Sequence, residues 1–249
     1  MERTLVYFVS DVHLGLKEAD PSEREERFLR FLGTIPDDAL ALYLLGDIWD
    51  FWYEYRDVVP REGARVLARL ISLAAAGVQV CFIPGNHDLW SRDFFDSVGI
   101  RRVEQPLSVR LGDRTFCLGH GDALGGSSFR YGLTLKVFRS RLARRLFSTL
   151  HPWIAFRIAG AWSGGGRKRH AGYVFKGDES EPLYRFALGR EEDYCIFGHF
   201  HQGLDAALPG GRRLVILEDW IGGGQPHAVF DTATSSFSAL PRSAGVRPE

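Results

Sequence analysis

The stretch Leu5-Val6-Tyr7-Phe8-Val9-Ser10-Asp11-Val12-His13 sets the pattern for the chain. Five apolar residues, β-branched and aromatic among them, predict a buried strand. The run then stops at side chains that can bind metal or move protons. The same arrangement returns four times. Ala39 to Leu45 ends at Gly46-Asp47-Ile48-Trp49-Asp50, and Val78 to Ile83 ends at Pro84-Gly85-Asn86-His87-Asp88. Thr115 to Leu118 ends at Gly119-His120-Gly121-Asp122, and Tyr194 to Phe197 at Gly198-His199-Phe200-His201. In open α/β sheets the crevice at the carboxyl ends of the strands is where ligands bind. A glycine just before the polar group lets the chain turn sharply there.

Between these strands lie helical patterns. Ser22 to Leu32 puts Phe28, Leu29, Phe31 and Leu32 on one face and its charged residues elsewhere, an amphipathic helix. Arg61 to Ala76 is a second helix stopped by Gly77, and Asp93 to Val98 a short third. Strand–helix alternation predicts an α/β chain, a central sheet with helices on its outer faces. The second half has more β character. Leu107–Leu111 and Thr115–Leu118 flank Gly112-Asp113, a hairpin signal, and Arg213–Leu217, Ala228–Phe230 and Phe237–Leu240 read as further strands. Leu133 to Trp162 interrupts them with helical periodicity. Residues 1–249 are expected to form one domain, with 124–181 a helical cap inserted in it and 241–249 a frayed tail.

Composition narrows the class. Hydrophobic residues at 45% and charged residues at 25% belong to a globular chain, not a disordered one. The 31 Lys+Arg balance the 31 Asp+Glu, but not evenly along the chain. Ala123 to Gly177 carries 11 basic residues and no acidic one, leaving 20 basic against 31 acidic elsewhere. No apolar stretch is long enough for a transmembrane helix, and the N-terminus has no signal-peptide pattern. Cys81, Cys117 and Cys195 lie inside predicted strands without metal-type spacing and read as buried thiols of a reducing compartment.

The five strand ends supply Asp, His and Asn without thiolate. That donor set suits Mn²⁺ best, with Fe or Zn²⁺ compatible, in a hydrated site rather than a structural tetrahedral zinc. Carboxylates can bridge paired metals, a recurrent arrangement for phosphoryl transfer. The ordered blocks resemble the calcineurin-like metallophosphoesterases over Asp11 to His201. The resemblance implies a four-layer β-sandwich flanked by helices and a hydrolase with two divalent metal ions. It assigns Asp11, His13 and His201 to one metal, Asn86, His120 and His199 to the other, and Asp47 to a bridge between them. It places His87 beside the scissile phosphate as general acid or electrostatic stabiliser, oriented by Asp88. Asp50 and Asp122 fall where they would support ligands or cap turns.

The superfamily acts on many phosphoesters. Here Phe147, Trp153, Phe156 and Trp162 stand among arginines, the composition of an interfacial segment or an acyl-chain wall. Gly46-Asp47-Ile48-Trp49-Asp50-Phe51-Trp52, Gly85-Asn86-His87-Asp88-Leu89-Trp90 and His120-Gly121-Asp122-Ala123-Leu124-Gly125, followed by the basic insert, are similar to the bacterial UDP-2,3-diacylglucosamine diphosphatases of lipid A biosynthesis. The resemblance implies cleavage of an acylated UDP-sugar to UMP and 2,3-diacylglucosamine 1-phosphate. It also implies a cytoplasmic protein held peripherally on the inner membrane through the insert. Ser163, Arg167, Lys168 and Arg169 are candidate contacts for headgroup or phosphate. Better-characterised members carry Arg where this chain has His87, the ordinary superfamily residue. Another nucleotide or phosphodiester remains the alternative substrate, although the continuous apolar stretch differs from the interleaved aromatics of nucleic-acid binders and no nucleic acid is expected. Nothing in the sequence sets an oligomeric state.

Overall fold

The computed structural model describes residues 2–126, 132–133, 136–138, 140–155, 157–158 and 173–240. In chain order the first half runs β1 (Leu5–Val9), α1 (Pro21–Thr34), β2 (Ala41–Leu44), α2 (Ala64–Ala75), β3 (Gln79–Phe82), α3 (Phe94–Ser97) and β4 (Arg101–Arg102). Then come the hairpin β5 (Leu107–Leu111) and β6 (Arg114–Leu118), helix α4 (Arg141–Phe147) in the insert, and α5 (Pro182–Leu188). The chain closes with β7 (Tyr194–Phe197), β8 (Leu204–Ala207), β9 (Arg213–Ile216), β10 (His227–Asp231) and β11 (Ser236–Leu240).

Two sheets form. One has the order β11-β10-β1-β2-β3-β4 and the other β5-β6-β7-β9-β8. β1, β2 and β3 are parallel neighbours in the first, and β6, β7 and β9 in the second. Side-chain alternation explains the layering. Tyr7, Val9, Leu42, Leu44, Val80 and Phe82 face α1 and α2 in one core. Val6, Phe8, Ala41, Tyr43 and Cys81 face Phe116, Leu118, Ile196 and Val215 in a second core between the sheets. Cys117, Cys195, Phe197, Leu214 and Ile216 face Leu183 and Ala187 of α5. The order helices, sheet, sheet, helix is the expected four-layer sandwich. The parallel strands are buried on both faces, and for that reason they read as continuous apolar runs.

Three elements are absent from the sequence reading: β4, β8 and α5. β4 is two residues long. β8 is Leu-Asp-Ala-Ala at the sheet edge, half exposed and without β-branched residues. α5 spans seven residues, too few for a helical period to stand out. Two charges of α1 also correct the expectation that only its apolar face is covered. Arg24 and Arg27 are buried, and their guanidinium groups donate to the Leu16 and Trp220 carbonyls, each at 2.5 Å. The apolar stems pack inward while the heads fasten two loops. All three cysteines are buried and free.

Candidate metal centre

The polar residues meet because the loops continue the parallel ladders beyond the strand ends. Asp11 N–H donates to the Gly46 carbonyl at 3.1 Å, and His13 N–H to the Asp47 carbonyl at 3.0 Å. Gly198 N–H donates to the His120 carbonyl at 2.9 Å, and Trp220 N–H to the Asp11 carbonyl at 3.0 Å. The backbone is then forced into an unusual conformation. Asp11, His13, Asp47, His199 and His201 all have φ between 51° and 74°. Left-handed backbone at five non-glycine residues of one cluster costs stability that only tight surroundings, or a function, sustain. Two glycines admit the carboxylates. A Cβ on Gly85 would overlap Asp47 Oδ1, and one on Gly198 would overlap Asp11 Oδ2.

The ligand atoms of Asp11, His13 and His201 lie within 4.8 Å of one another, as do those of His13, Asp47 and His87 and those of Asp11, Asp47 and His120. His120 Nε2 is 3.2 Å from Asp47 Oδ2, and His201 Nε2 is 3.4 Å from Asp11 Oδ1. His199 places its ring 5.1 Å from that of His120, and its backbone N–H donates to Asp11 Oδ2 at 2.9 Å. Asn86 presents a buried Oδ1.

Three ring orientations share one logic. His120 Nδ1 donates to the Leu45 carbonyl at 3.0 Å, His13 Nδ1 faces Asp50 Oδ1 at 3.3 Å, and His201 Nδ1 faces Asp219 Oδ2 at 3.3 Å. With an acceptor at each Nδ1, each Nε2 is directed inward, and without a proton there the ring is the tautomer that ligates a metal. Whether a cation fits can be judged from atoms left without hydrogen bonds. Asn86 Oδ1 is buried and has none, and the buried Asp11 Oδ1 and His120 Nε2 face only the ionisable groups of the same cluster, His201 and Asp47. Buried polar atoms rarely lack partners, and anionic oxygen, amide oxygen and imidazole nitrogen are together a divalent-cation donor set.

Proton affinities follow the same crowding. Burial opposes charge on every ring, yet Asp11 and Asp219 raise His201 to about 10 in the metal-free chain. Burial, assisted by His120, lowers His199 to about 4. Burial disfavours charge on His120, but Asp47 together with Asp11 and Asp122 raises it well above the imidazole range, and Asp47, beside His120 and His87, is well below the carboxylate range. Burial lowers His13.

His87 stands at the open side, with 17% of its side chain exposed. Its Nδ1 donates to the Asp50 carbonyl at 2.8 Å, and its backbone N–H donates to Asp47 Oδ1 at 2.9 Å. The ring is therefore oriented from the Asp50 side. Asp88, expected to orient it, instead accepts backbone N–H bonds from Gly85 at 2.7 Å, Ile48 at 2.8 Å, Asp47 at 3.2 Å and Trp49 at 3.4 Å. It ties the Asp47 and Asn86 loops together. Asp122 accepts from Gln105 Nε2 at 2.5 Å. The same Gln105 accepts the N–H groups of His120 at 2.8 Å and Gly121 at 3.0 Å. Ser163, Arg167, Lys168 and Arg169 lie outside the described residues.

Sequence reasoning missed Asp219 and Gln105. Asp219 has neither a glycine just before it nor a histidine beside it, whereas each of the other strand ends has at least one of the two. Its signal was position, just after β9, which lies next to β7 in the second sheet.

Residues 4–203 match the family model for calcineurin-like phosphoesterases. The chain is a calcineurin-like phosphoesterase. This phosphoesterase is 37% identical over 258 aligned residues to a UDP-2,3-diacylglucosamine hydrolase of Porphyromonas gingivalis, covering 96% of the chain and 98% of that protein. It is 32% identical to the UDP-2,3-diacylglucosamine hydrolase of Hamiltonella defensa over 78% of the chain and 76% of that protein. The corresponding protein of Stenotrophomonas maltophilia is 31% identical, with 86% and 90% covered. Family membership makes this phosphoesterase a metal-dependent hydrolase, and its strand ends supply the ligand groups such chemistry needs.

Proposed function

We propose that the protein hydrolyses the pyrophosphate of UDP-2,3-diacylglucosamine to UMP and 2,3-diacylglucosamine 1-phosphate, a step toward lipid A. The observation that carries this reading is the 37% identity to a UDP-2,3-diacylglucosamine hydrolase over nearly the full length of both chains. In this reading Asp11, His13 and His201 hold one divalent ion, Asn86, His120 and His199 a second, and Asp47 bridges them. Mn²⁺ suits these donors. Bound there, the ions would polarise phosphoryl oxygens and lower the pKa of water.

The chain's own residues do the rest. Asp50 and Asp219 hold the His13 and His201 rings with Nε2 inward. Asp88 fixes the two loops that bring Asp47 and Asn86 together. The Asp50 carbonyl can only accept, so His87 Nδ1 carries a proton and Nε2 is the nitrogen that gives or withholds one toward the substrate. A protonated Nε2 would stabilise charge on a non-bridging oxygen or supply the leaving group's proton.

The insert supports an acylated substrate. Leu142, Leu146 and Trp153 are each more than 60% exposed, and the Arg157 guanidinium lies 4.8 Å over the Trp153 ring. Apolar and cationic groups on one surface suit acyl chains and anionic headgroups. Among the described residues no helix is long and apolar enough to cross a membrane. The reading therefore includes peripheral attachment at the cytoplasmic face through the insert, with Ser163, Arg167, Lys168 and Arg169 as contacts to phosphate or headgroup. Hydrolysis of UDP-2,3-diacylglucosamine against unacylated UDP-glucosamine tests it. A strong preference for the acylated compound is expected, and equal kcat/KM for the two would contradict the lipid reading.

A further inference from the structure

The insert is fastened at α4 and again near its C-terminal end, at Tyr173 and Phe175, to the loops that carry the centre's ligands. On one side the Tyr53 hydroxyl donates to the Arg144 carbonyl at 2.9 Å and lies 2.5 Å from Ser148 Oγ. Trp90 Nε1 donates to the Phe138 carbonyl at 2.8 Å. Tyr53 follows Asp50 by three residues, and Trp90 follows His87 by three. Phe147 of α4 packs against both rings, with centroids at 4.9 Å from Tyr53 and 4.7 Å from Trp90. On the other side Gln202, next to His201, accepts the Phe175 N–H at 3.1 Å and donates to the Tyr173 carbonyl at 2.7 Å. Phe200, between His199 and His201, packs on Phe175 at 4.6 Å.

These contacts are unlike ordinary packing in two respects. Tyr53, Trp90 and Gln202 each bond insert backbone, which fixes where the insert lies rather than which side chains it presents; only the Tyr53–Ser148 contact is side chain to side chain. Each comes from a residue within three positions of a proposed ligand, of His87 or of Asp50, which holds the His13 ring, so insert and centre share supports. We infer that Tyr53, Trp90 and Gln202 are positioning residues that set the insert over the metal centre and thereby determine specificity for a substrate reaching both. The inference rests on the proposed acylated substrate. A small phosphoester that touches only the centre should not sense these residues. A diacylated nucleotide-sugar must engage centre and insert together and should pay for any misplacement in binding.

The test uses full-length Tyr53→Phe and Gln202→Ala chains and their double variant. Four quantities are read: hydrogen exchange of the Leu142–Ser148 amides, Mn²⁺ affinity, and kcat and KM on UDP-2,3-diacylglucosamine. Losing one hydrogen bond of this kind corresponds to roughly fivefold. In Tyr53→Phe, exchange in α4 should quicken by roughly that factor. KM should rise about fivefold in each single variant and more in the double, with kcat and Mn²⁺ affinity within twofold of the parent. Unchanged α4 exchange in Tyr53→Phe overturns the fastening itself, whatever the substrate. Quickened exchange with unchanged KM, or Mn²⁺ affinity falling in step with KM, overturns the specificity role. If the parent chain fails to turn over the diacylated compound, the proposed function falls. The substrate half of this inference falls with it, while the exchange result still decides the fastening.

Discussion

His13 Nε2 and His201 Nε2 face one another at 3.2 Å, while the Nδ1 of each ring is turned onto a carboxylate, Asp50 and Asp219. Two imidazoles so arranged need something positive between them. In the metal-free chain that is the Nε2 proton of His201, beside Asp11, while Asp219 faces Nδ1 of the same ring. In the loaded enzyme it would be a divalent ion.

Asp219 should therefore matter for metal affinity although it is not assigned as a ligand. Partners behind a ligating histidine typically contribute 10–100-fold in affinity. Asp219→Ala is expected to weaken Mn²⁺ binding by about that factor, read by direct titration. Activity at saturating Mn²⁺ should largely recover.

The raised His201 gives a pH dependence with a definite sign. Its folded value, about 10, lies above the ordinary 6.5, so the protonated form stabilises the metal-free fold. That contribution is complete below about pH 6.5 and is lost as pH rises through 10. The melting-temperature gap between the metal-free parent and His201→Ala should accordingly shrink from pH 7 to pH 10. Loading the ion at pH 7.5 must also expel this proton. Calorimetry in two buffers of different ionisation enthalpy should show at least about one proton released per chain.

Gly85 tests whether the approach of Asp47 is as close as the structure shows. An added Cβ overlaps Asp47 Oδ1, so Gly85→Ala must displace the carboxylate or the loop. A shift of order 1 Å in a reacting centre costs about 10²-fold. A loss of that size in kcat/KM is expected, with far-ultraviolet circular dichroism near that of the parent.

Asp88 separates a structural from a proton-transfer role. Its carboxylate accepts four backbone N–H groups in a buried site. Burial, and then Asp47, raise it to about 7 in the metal-free chain. Asp88→Ala should lower unfolding free energy by about 2–4 kcal/mol, read by urea denaturation, because these donors lose their acceptor.

The fold was legible where apolar runs were long and buried on both faces. β1 begins and ends at the residues the pattern predicts, Leu5 and Val9. The same pattern marked the strand ends as the place for chemistry, because a polar residue after such a run can only point out of the sheet edge. Legibility failed where support comes from across the chain. Gln105 holds the His120 loop from 15 residues away, and Asp50 rather than Asp88 meets the His87 ring. Neither relation has a periodicity to betray it. Arg24 was read as surface by its charge, but its carbonyl partners Leu16 and Glu18 lie in the loop folded over it.

The most direct test of the central claim is product analysis by mass spectrometry after incubating Mn²⁺-loaded protein with UDP-2,3-diacylglucosamine, beside an Asp47→Ala control. The account predicts UMP and 2,3-diacylglucosamine 1-phosphate from the parent and a loss of at least about 10³-fold in the variant, since Asp47 is proposed to touch both ions. Intact substrate from the parent, or equal turnover by the variant, would contradict it.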